Sequence, residues 1–495
     1  MWKSTPKNST DRPRADAAHG SKTAWRCTSI LCLAAGLAWQ VATPQAPQSD
    51  RPIEKLKFPP LQFTPRQASE RSLSNGLTVF LLEDHELPIV SAFAMMRTGG
   101  RYEPEPQLGL ASLTGTVLRS GGTQSLSPNQ LNEKLEFVSA SLETSIGDSA
   151  GFASLSILSR DLEIGLDLLS QVLRQPAFDP QQIELAKDRV RESIRRRNDF
   201  PGSIASREFS KRLYGERHPL ARTVELEHLE RIDRQDLLDF HTRFFHPNNL
   251  TLGVAGDFES NHLMGLLERY FGDWPSQEVP PDPVGEDLNE PAPEIFYVSK
   301  NVNQVNLRIG HLGIRRQNPD FFAVTVMDSV LGRGFSSRLF REVRSRLGLA
   351  YSVSSNYGAS FKDRGLFTIS LESKSESTAE AIQAVIEQIE TLRSQEVEPE
   401  ELAVAQESVL NRFVFAFDSP GEIVNRQVRY RFFDLPPDYL TTYRDRVAAV
   451  SVQDVARVAR QYLHPDRLII LAVGPEQTRS QLAQLGEVSE IPLKD

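Results

Sequence analysis

Side chains able to bind a metal are few in this chain, and their spacing is wrong for it. The 495 residues include nine histidines, at positions 19, 85, 218, 228, 241, 246, 262, 311 and 464. Two histidines at i and i+4 share a helix face and can ligate zinc together, and a neighbouring glutamate then takes a proton from metal-bound water. Neither His-x-x-Glu-His nor His-Glu-x-x-His occurs. His241 and His246 are five residues apart and do not share a helix face well. His246 and His464 each precede a proline, at matching places in two repeats, which points to a structural role at a helix end. The only cysteines are Cys27 and Cys32, so the main body has no disulfide scaffold, cysteine zinc site or thiol nucleophile. Ser112, Thr114 and Thr116 offer hydroxyls, but no nearby His or Lys would activate them, and packing is the better reading. The Gly332-Arg333-Gly334 turn lacks the further glycine and the Lys-Ser/Thr of a phosphate loop.

The elements that carry these residues are duplicated. Residues 231–257 match residues 449–475 at a shift of 218: Gln235 falls on Gln453, Asp236 on Asp454, His246-Pro247 on His464-Pro465 and Gly256 on Gly474. Each copy reads as an amphipathic helix stopped by His-Pro, followed by an apolar strand ended by glycine. A second pair lies upstream at a shift of 219, where Ala186 falls on Ala405, Val190 on Val409 and Pro201-Gly202 on Pro420-Gly421. The body therefore divides into two homologous halves, residues 55–275 and 295–480, with a tail at 481–495. The proline-rich, acidic stretch 276–294 between them reads as a linker. Strands are expected over 77–82, 89–94, 305–309 and 365–371, and helices over 161–173, 180–196 and 377–395. Strands and helices do not alternate one for one, so the expected class is α+β.

Composition sets the outer limits. The chain is 39% hydrophobic and 24% charged, ordinary globular usage that allows about two to four domains. Net charge is −9. Residues 1–50 hold six basic and three acidic side chains, which leaves 50 basic against 62 acidic beyond them, or −12. That balance argues against a nucleic-acid partner. Residues 1–46 read as a secretory signal: a basic stretch, an apolar run over 30–39 too short to span a bilayer comfortably, then small residues with cleavage after Ala38, Ala42 or Ala46. Export to a bacterial periplasm follows, with membrane anchoring as the alternative if the segment stays uncleaved.

The halves, their order and their motifs resemble the pitrilysin/insulinase family of zinc peptidases, nearest its short two-domain members related to mitochondrial processing peptidase. The likeness covers about residues 66–480. It implies that each half is an antiparallel-rich sheet packed by helices, and that two such units close around a peptide chamber. Family peptidases carry His-x-x-Glu-His on a helix of the first half. The matching stretch here is 109–117, preceded by the family-like lead-in Gly100-Arg101-Tyr102-Glu103-Pro104. Ser112, Gly115 and Thr116 stand where the resemblance expects His, Glu and His, and Ser193 stands where it expects the distal Glu ligand. The neighbouring Glu192 lies about 100° further around a helix.

The second half keeps what the first has lost. Residues 331–353 resemble the family's Arg/Tyr motif, and Arg344 and Tyr351 match its two functional positions. In relatives these residues bind the substrate backbone and stabilise charge on the scissile carbonyl, and a guanidinium and a phenol are good donors to an oxyanion. Ser336 or Ser337 is expected to cap the helix carrying Arg344, and Gly348 to end it. Residues 139–148 lie where relatives present a substrate-pairing edge strand. The resemblance thus implies a subunit that holds no metal itself and works with a homologous, zinc-bearing His-x-x-Glu-His partner on peptide substrates. The alternative is an inactive scaffold or peptide-binding protein of the same fold. In isolation the chain could also pair with itself as a homodimer.

Overall fold

The computed structural model describes residues 66–283 and 288–493. The targeting segment, both cysteines and residues 284–287 of the linker lie outside the described residues. Six strands form the first sheet: β1 (Ser69–Ser72), β2 (Thr78–Glu83), β3 (Ile89–Met96), β4 (Ser141–Ile146), β5 (Gly151–Leu158) and β6 (Leu250–Gly256), in the order β1-β2-β6-β3-β5-β4. The second half adds β7 (Glu294–Ser299), β8 (Val305–Leu312), β9 (Ile314–Arg315), β10 (Ala350–Tyr357), β11 (Ala359–Ser360), β12 (Leu366–Ser373), β13 (Ile469–Gly474) and β14 (Val488–Glu490). Its main sheet runs β10-β12-β8-β13-β7-β14, and β9 pairs with β11 separately.

The two sheets share one plan. β2 runs parallel to β6 as β7 does to β13, and the antiparallel set β6-β3-β5-β4 has its counterpart in β13-β8-β12-β10. The class is α+β, with mixed sheets packed by helices. The central strands β6 and β13 are almost wholly buried, as their apolar runs require. Helices Arg234–Phe244 and Val452–Tyr462 precede them, each ended by its His-Pro turn. His246 Nε2 meets the Thr242 carbonyl at 2.8 Å, closing the last turn of its helix. His464 instead donates its backbone N–H to His311 Nε2 at 3.2 Å.

The halves also exchange equivalent helices. Helix Pro201–Tyr214 of the first half lies on the second sheet, where Ile204, Phe209 and Leu213 share a core with Val298, Leu471 and Val473. Its repeat, Pro420–Phe432, lies on the first sheet, where Val424 and Val428 meet Leu82, Met95 and Ala255. Gly253 of β6 leaves room for this helix, since a Cβ there would come within 2.8 Å of Val428 Cγ2. Each buried aliphatic side chain in such a seam contributes about 1.5–3 kcal/mol, so residues Phe63–Asp495 form one compact unit. A buried ion pair crosses between the halves as well: Arg101 Nη2 lies 2.9 Å from Asp363 Oδ2, with both side chains at most 3% exposed. The linker residue Asp282 accepts from Tyr102 of the first half and Lys362 of the second, so it ties the stretch down. Residues 481–495, read as a tail, supply β14 and the buried Ile491.

Candidate functional site

Helix Leu110–Ser120 carries the positions expected for His, Glu and His. Its start is set by the lead-in: Glu103 Oε1 accepts from the Ala111 backbone N–H at 2.7 Å, an anion at a helix N-terminus. Burial raises the Glu103 pKa, against the pull of the Ala111 and Gly109 amides and Arg222. Ser112 and Thr116 lie one turn apart on the exposed face, and the Thr116 hydroxyl donates to the Ser112 carbonyl at 2.9 Å. Gly115 faces inward onto β4. The Thr144 hydroxyl donates to the Gly115 carbonyl at 2.7 Å. A Cβ on Gly115 would overlap the backbone nitrogen of Ile146 and lie 2.7 Å from the carbonyl carbon of Ser145. Ser193 and Glu192 are both exposed on helix Pro180–Arg195, which packs against Leu110–Ser120. Among the described residues no three His, Cys, Asp or Glu side chains come together as a metal site.

β4 occupies the open end of the first sheet. Ser139 takes a left-handed turn (φ 51°) that leads into it. The stretch expected as an edge strand is therefore one, with β5 on one side and no strand on the other.

The equivalent end of the second sheet holds Arg344 and Tyr351. The segment Phe340–Arg346 winds as a π-helix, with the Leu347 N–H donating to the Glu342 carbonyl five residues back. Gly348 ends it at φ 66°, as expected. Residues 338–339 are already helical, so Ser337 stands at the helix start as expected and its carbonyl accepts from the Arg341 N–H at 3.0 Å, but its hydroxyl makes no cap bond and donates to the Gly334 carbonyl at 2.7 Å. The bond to Gly334 turns the Ser337 hydroxyl toward the preceding turn.

A bulge then decides where Tyr351 points. Ala350 pairs with Ser373 and Ser352 with Glu372, so Tyr351 is the extra residue in β10. Strict alternation would place Tyr351 on the inward face with Val353 and Tyr357. The extra residue resets the phase: Ala350 is buried and Tyr351 is 69% exposed. Arg344 forms no ion pair among the described residues, whereas Arg346 pairs with Glu342, and Arg338 and Arg341 pair with Glu401. The Arg344 guanidinium lies over the Phe340 ring, 4.6 Å from its centroid.

Two residues of this face were not picked out from sequence. Asp328 is fully buried beneath β10 and accepts from Ser355 Oγ at 2.6 Å; burial pushes its carboxyl upward despite that bond and the nearby Arg333. Its signal was a lone acid inside the apolar run of helix Phe321–Leu331. Phe340 had a weaker one, an aromatic four residues before Arg344. The Gly332-Arg333-Gly334 turn is tied to β10, with the Gly332 carbonyl accepting from the Ser355 N–H at 3.1 Å.

Comparison with known proteins gives this architecture a context. Residues 78–224 match the family described as insulinase (peptidase family M16), and residues 231–409 match the peptidase M16 inactive domain. An uncharacterized zinc protease of Bacillus subtilis, YmxG, is 23% identical over 400 residues, covering 80% of this chain and 96% of that protein. An uncharacterized zinc protease of Rickettsia bellii is 25% identical over 381 residues, covering 71% of this chain and 89% of that one. Among solved structures, a peptidase M16 inactive domain from Pseudomonas fluorescens superposes with a TM-score of 0.75 at 25% identity, covering 82% of this chain and 98% of that one. The periplasmic protease PqqL from Escherichia coli superposes with a TM-score of 0.70 at 17% identity, covering 86% of this chain and 49% of that one.

Proposed function

The chain belongs to the insulinase (peptidase M16) family, and from that premise we propose that it is the non-zinc-binding subunit of a heterodimeric zinc peptidase. The zinc in the relatives' names does not fit the donor set of this chain. Ser112, Gly115 and Thr116 offer two hydroxyls and no side chain where three ligating or proton-accepting groups are needed, and Ser193 adds only a third hydroxyl. The backbone of β4 fills the space a Glu at 115 would need. The partner is therefore a homologous chain that bears His-x-x-Glu-His and holds the zinc.

One observation carries this reading: Arg344 and Tyr351 stand at the sheet end without an ionic partner among the described residues, and a bulge is spent on exposing the tyrosine. A scaffold needs neither donor. In the assembled enzyme the guanidinium and the phenol donate to the carbonyl oxygen of the scissile peptide, and the β4 edge pairs with the substrate backbone. The segment 1–46 and the periplasmic setting of PqqL support export to the periplasm.

The test is to mix the purified chain with an M16 homologue of similar length that carries His-x-x-Glu-His, and to follow hydrolysis of an unfolded polypeptide. Cleavage should rise well above that of either chain alone. Tyr351→Phe or Arg344→Ala should lower kcat by about 10²-fold, the scale for losing one oxyanion donor. Unchanged cleavage with both substitutions sinks the proposal. A complex that forms but never cleaves supports the scaffold reading instead.

A further inference from the structure

Around Arg344 the basic side chains of its element are bound to carboxylates one by one. Arg338 and Arg341 share Glu401, and Arg346 takes Glu342. Arg344 alone is left to an aromatic partner. Its guanidinium carbon lies 4.6 Å from the Phe340 centroid, within the range where a ring face attracts a cation. Phe340 is itself braced edge-on by Phe335, with ring centroids 5.0 Å apart and planes at 81°. Phe335 is 81% exposed and packs in no apolar core cluster.

Phe340 and Arg344 stand four residues apart, a spacing that sets two side chains next to each other on one helix face. A carboxylate in place of the ring would neutralise Arg344 and compete with a substrate carbonyl for its N–H groups. A ring face orients the guanidinium through its plane and leaves the N–H edge free. The aromatic stack thus supplies orientation without consuming donors.

We propose that Phe340, braced by Phe335, is a positioning residue that holds the Arg344 guanidinium ready to donate to a peptide carbonyl. This deepens the subunit role proposed above, and its test has a readout that does not depend on that role. The rate of Arg344 modification by phenylglyoxal is measured on the full chain by peptide mass spectrometry, with Arg346 as internal control. Phe340→Leu should raise the Arg344 rate about 2- to 5-fold, the scale of one exposed cation–π contact, and leave Arg346 unchanged. Phe340→Trp, which restores a ring face, should return the Arg344 rate to that of the native chain. An unchanged Arg344 rate in Phe340→Leu overturns the inference, as does an equal rise at Arg346, which would report local unfolding.

A second arm measures binding of fluorescein-labelled β-casein, an unfolded polypeptide, in a double-mutant cycle. Phe340→Leu should weaken binding in the native background and have no effect in Arg344→Ala, because the ring acts through the arginine. Equal losses in both backgrounds overturn the inference. If the Arg344 rate responds to Phe340 as expected but casein binding ignores Arg344→Ala, the positioning contact stands and the subunit role falls.

Discussion

Gly115 offers the most direct test of whether helix Leu110–Ser120 has room for a side chain facing β4. The perturbation is Gly115→Ala. In an ordinary helix interior this change is worth about 1 kcal/mol of stability, because alanine orders more readily than glycine. Here the new methyl would overlap the Ile146 backbone nitrogen and lie 2.7 Å from the Ser145 carbonyl carbon. Both obstacles are main chain and cannot rotate away, so β4 must move. Overpacking of this kind costs about 1–3 kcal/mol. The shift also strains the 2.7 Å bond from the Thr144 hydroxyl to the Gly115 carbonyl, about 1 kcal/mol more. The net expectation is a loss of about 2 kcal/mol. Spread over one cooperative unit from Phe63 to Asp495, at about 2.1 cal/mol/K of unfolding entropy per residue, this lowers the melting temperature by about 2 °C. Differential scanning calorimetry resolves such a shift, and urea denaturation gives the free energy directly. Ser112→His with Thr116→His is the control: both sites are exposed, so stability should stay within about 0.5 kcal/mol of the native chain. Adding Gly115→Glu to that pair also buries a carboxylate against β4 and should cost several kcal/mol. An alanine variant as stable as the native chain refutes the reasoning, as does a folded triple variant that keeps one zinc per chain through gel filtration.

Other perturbations separate structure from function. Tyr351→Ala removes an exposed side chain and should change unfolding free energy by less than about 0.5 kcal/mol in urea titration, whereas Arg344→Ala removes a half-buried one with its contact to the Phe340 ring and should cost about 0.5–1 kcal/mol. Arg101→Ala leaves the buried Asp363 carboxylate with only His218, 3.6 Å away, and should destabilise by about 3 kcal/mol, and adding Asp363→Asn should recover part of that loss. Burial pulls the His241 and His311 imidazoles down to about 4, against the carbonyls of Leu173 and Leu312. The folded chain therefore holds them neutral while the unfolded chain protonates them near pH 6.5. Stability should fall as pH drops from about 6.5 to about 4, by about 1.4 kcal/mol per pH unit for each imidazole. His311→Gln should remove one such contribution from the pH dependence of the urea midpoint.

Element types and their repeat were legible because they rest on local pattern. The expected strand 89–94 became β3 (Ile89–Met96), and the expected helix 161–173 became Leu162–Arg174. The His-Pro stops fell where the apolar period broke. The exchange of helices was not legible. Pro201-Gly202 and Pro420-Gly421 show that two helices correspond, but nothing local says that each packs on the other half's sheet. Arg344 and Tyr351 were found by motif, but how Tyr351 reaches solvent was not. An Ala-Tyr-Ser-Val run alternates either way, and only pairing with β12 reveals the extra residue. Asp328 was passed over for the same reason, since its partner Ser355 is 27 residues away and meets it only through the sheet.

The two halves differ in the buried contact between the end strand and the helix beneath it. In each half a helix lies beneath the end strand of its sheet, Leu110–Ser120 under β4 and Phe321–Leu331 under β10. The first closes the gap by deleting a side chain, so that Gly115 lets helix and strand backbones touch. The second keeps a side chain and satisfies it, with Asp328 accepting from Ser355. Backbone contact leaves no space for a group pointing at the open edge. The second half also brings backbones together, at Gly332, whose carbonyl accepts from the Ser355 N–H of β10 at 3.1 Å, and the Asp328 carboxylate pins the same strand beside that contact, near the ends that present Tyr351 and Arg344. Replacing Asp328 tests this directly. Asp328→Gly removes the acceptor of the Ser355 hydroxyl, and the exposure of Tyr351, read at that residue by nitration with tetranitromethane and peptide mass spectrometry, should change. If Tyr351 is nitrated equally in the folded variant, the bulge alone sets the position of the tyrosine and the helix contact beneath it does not.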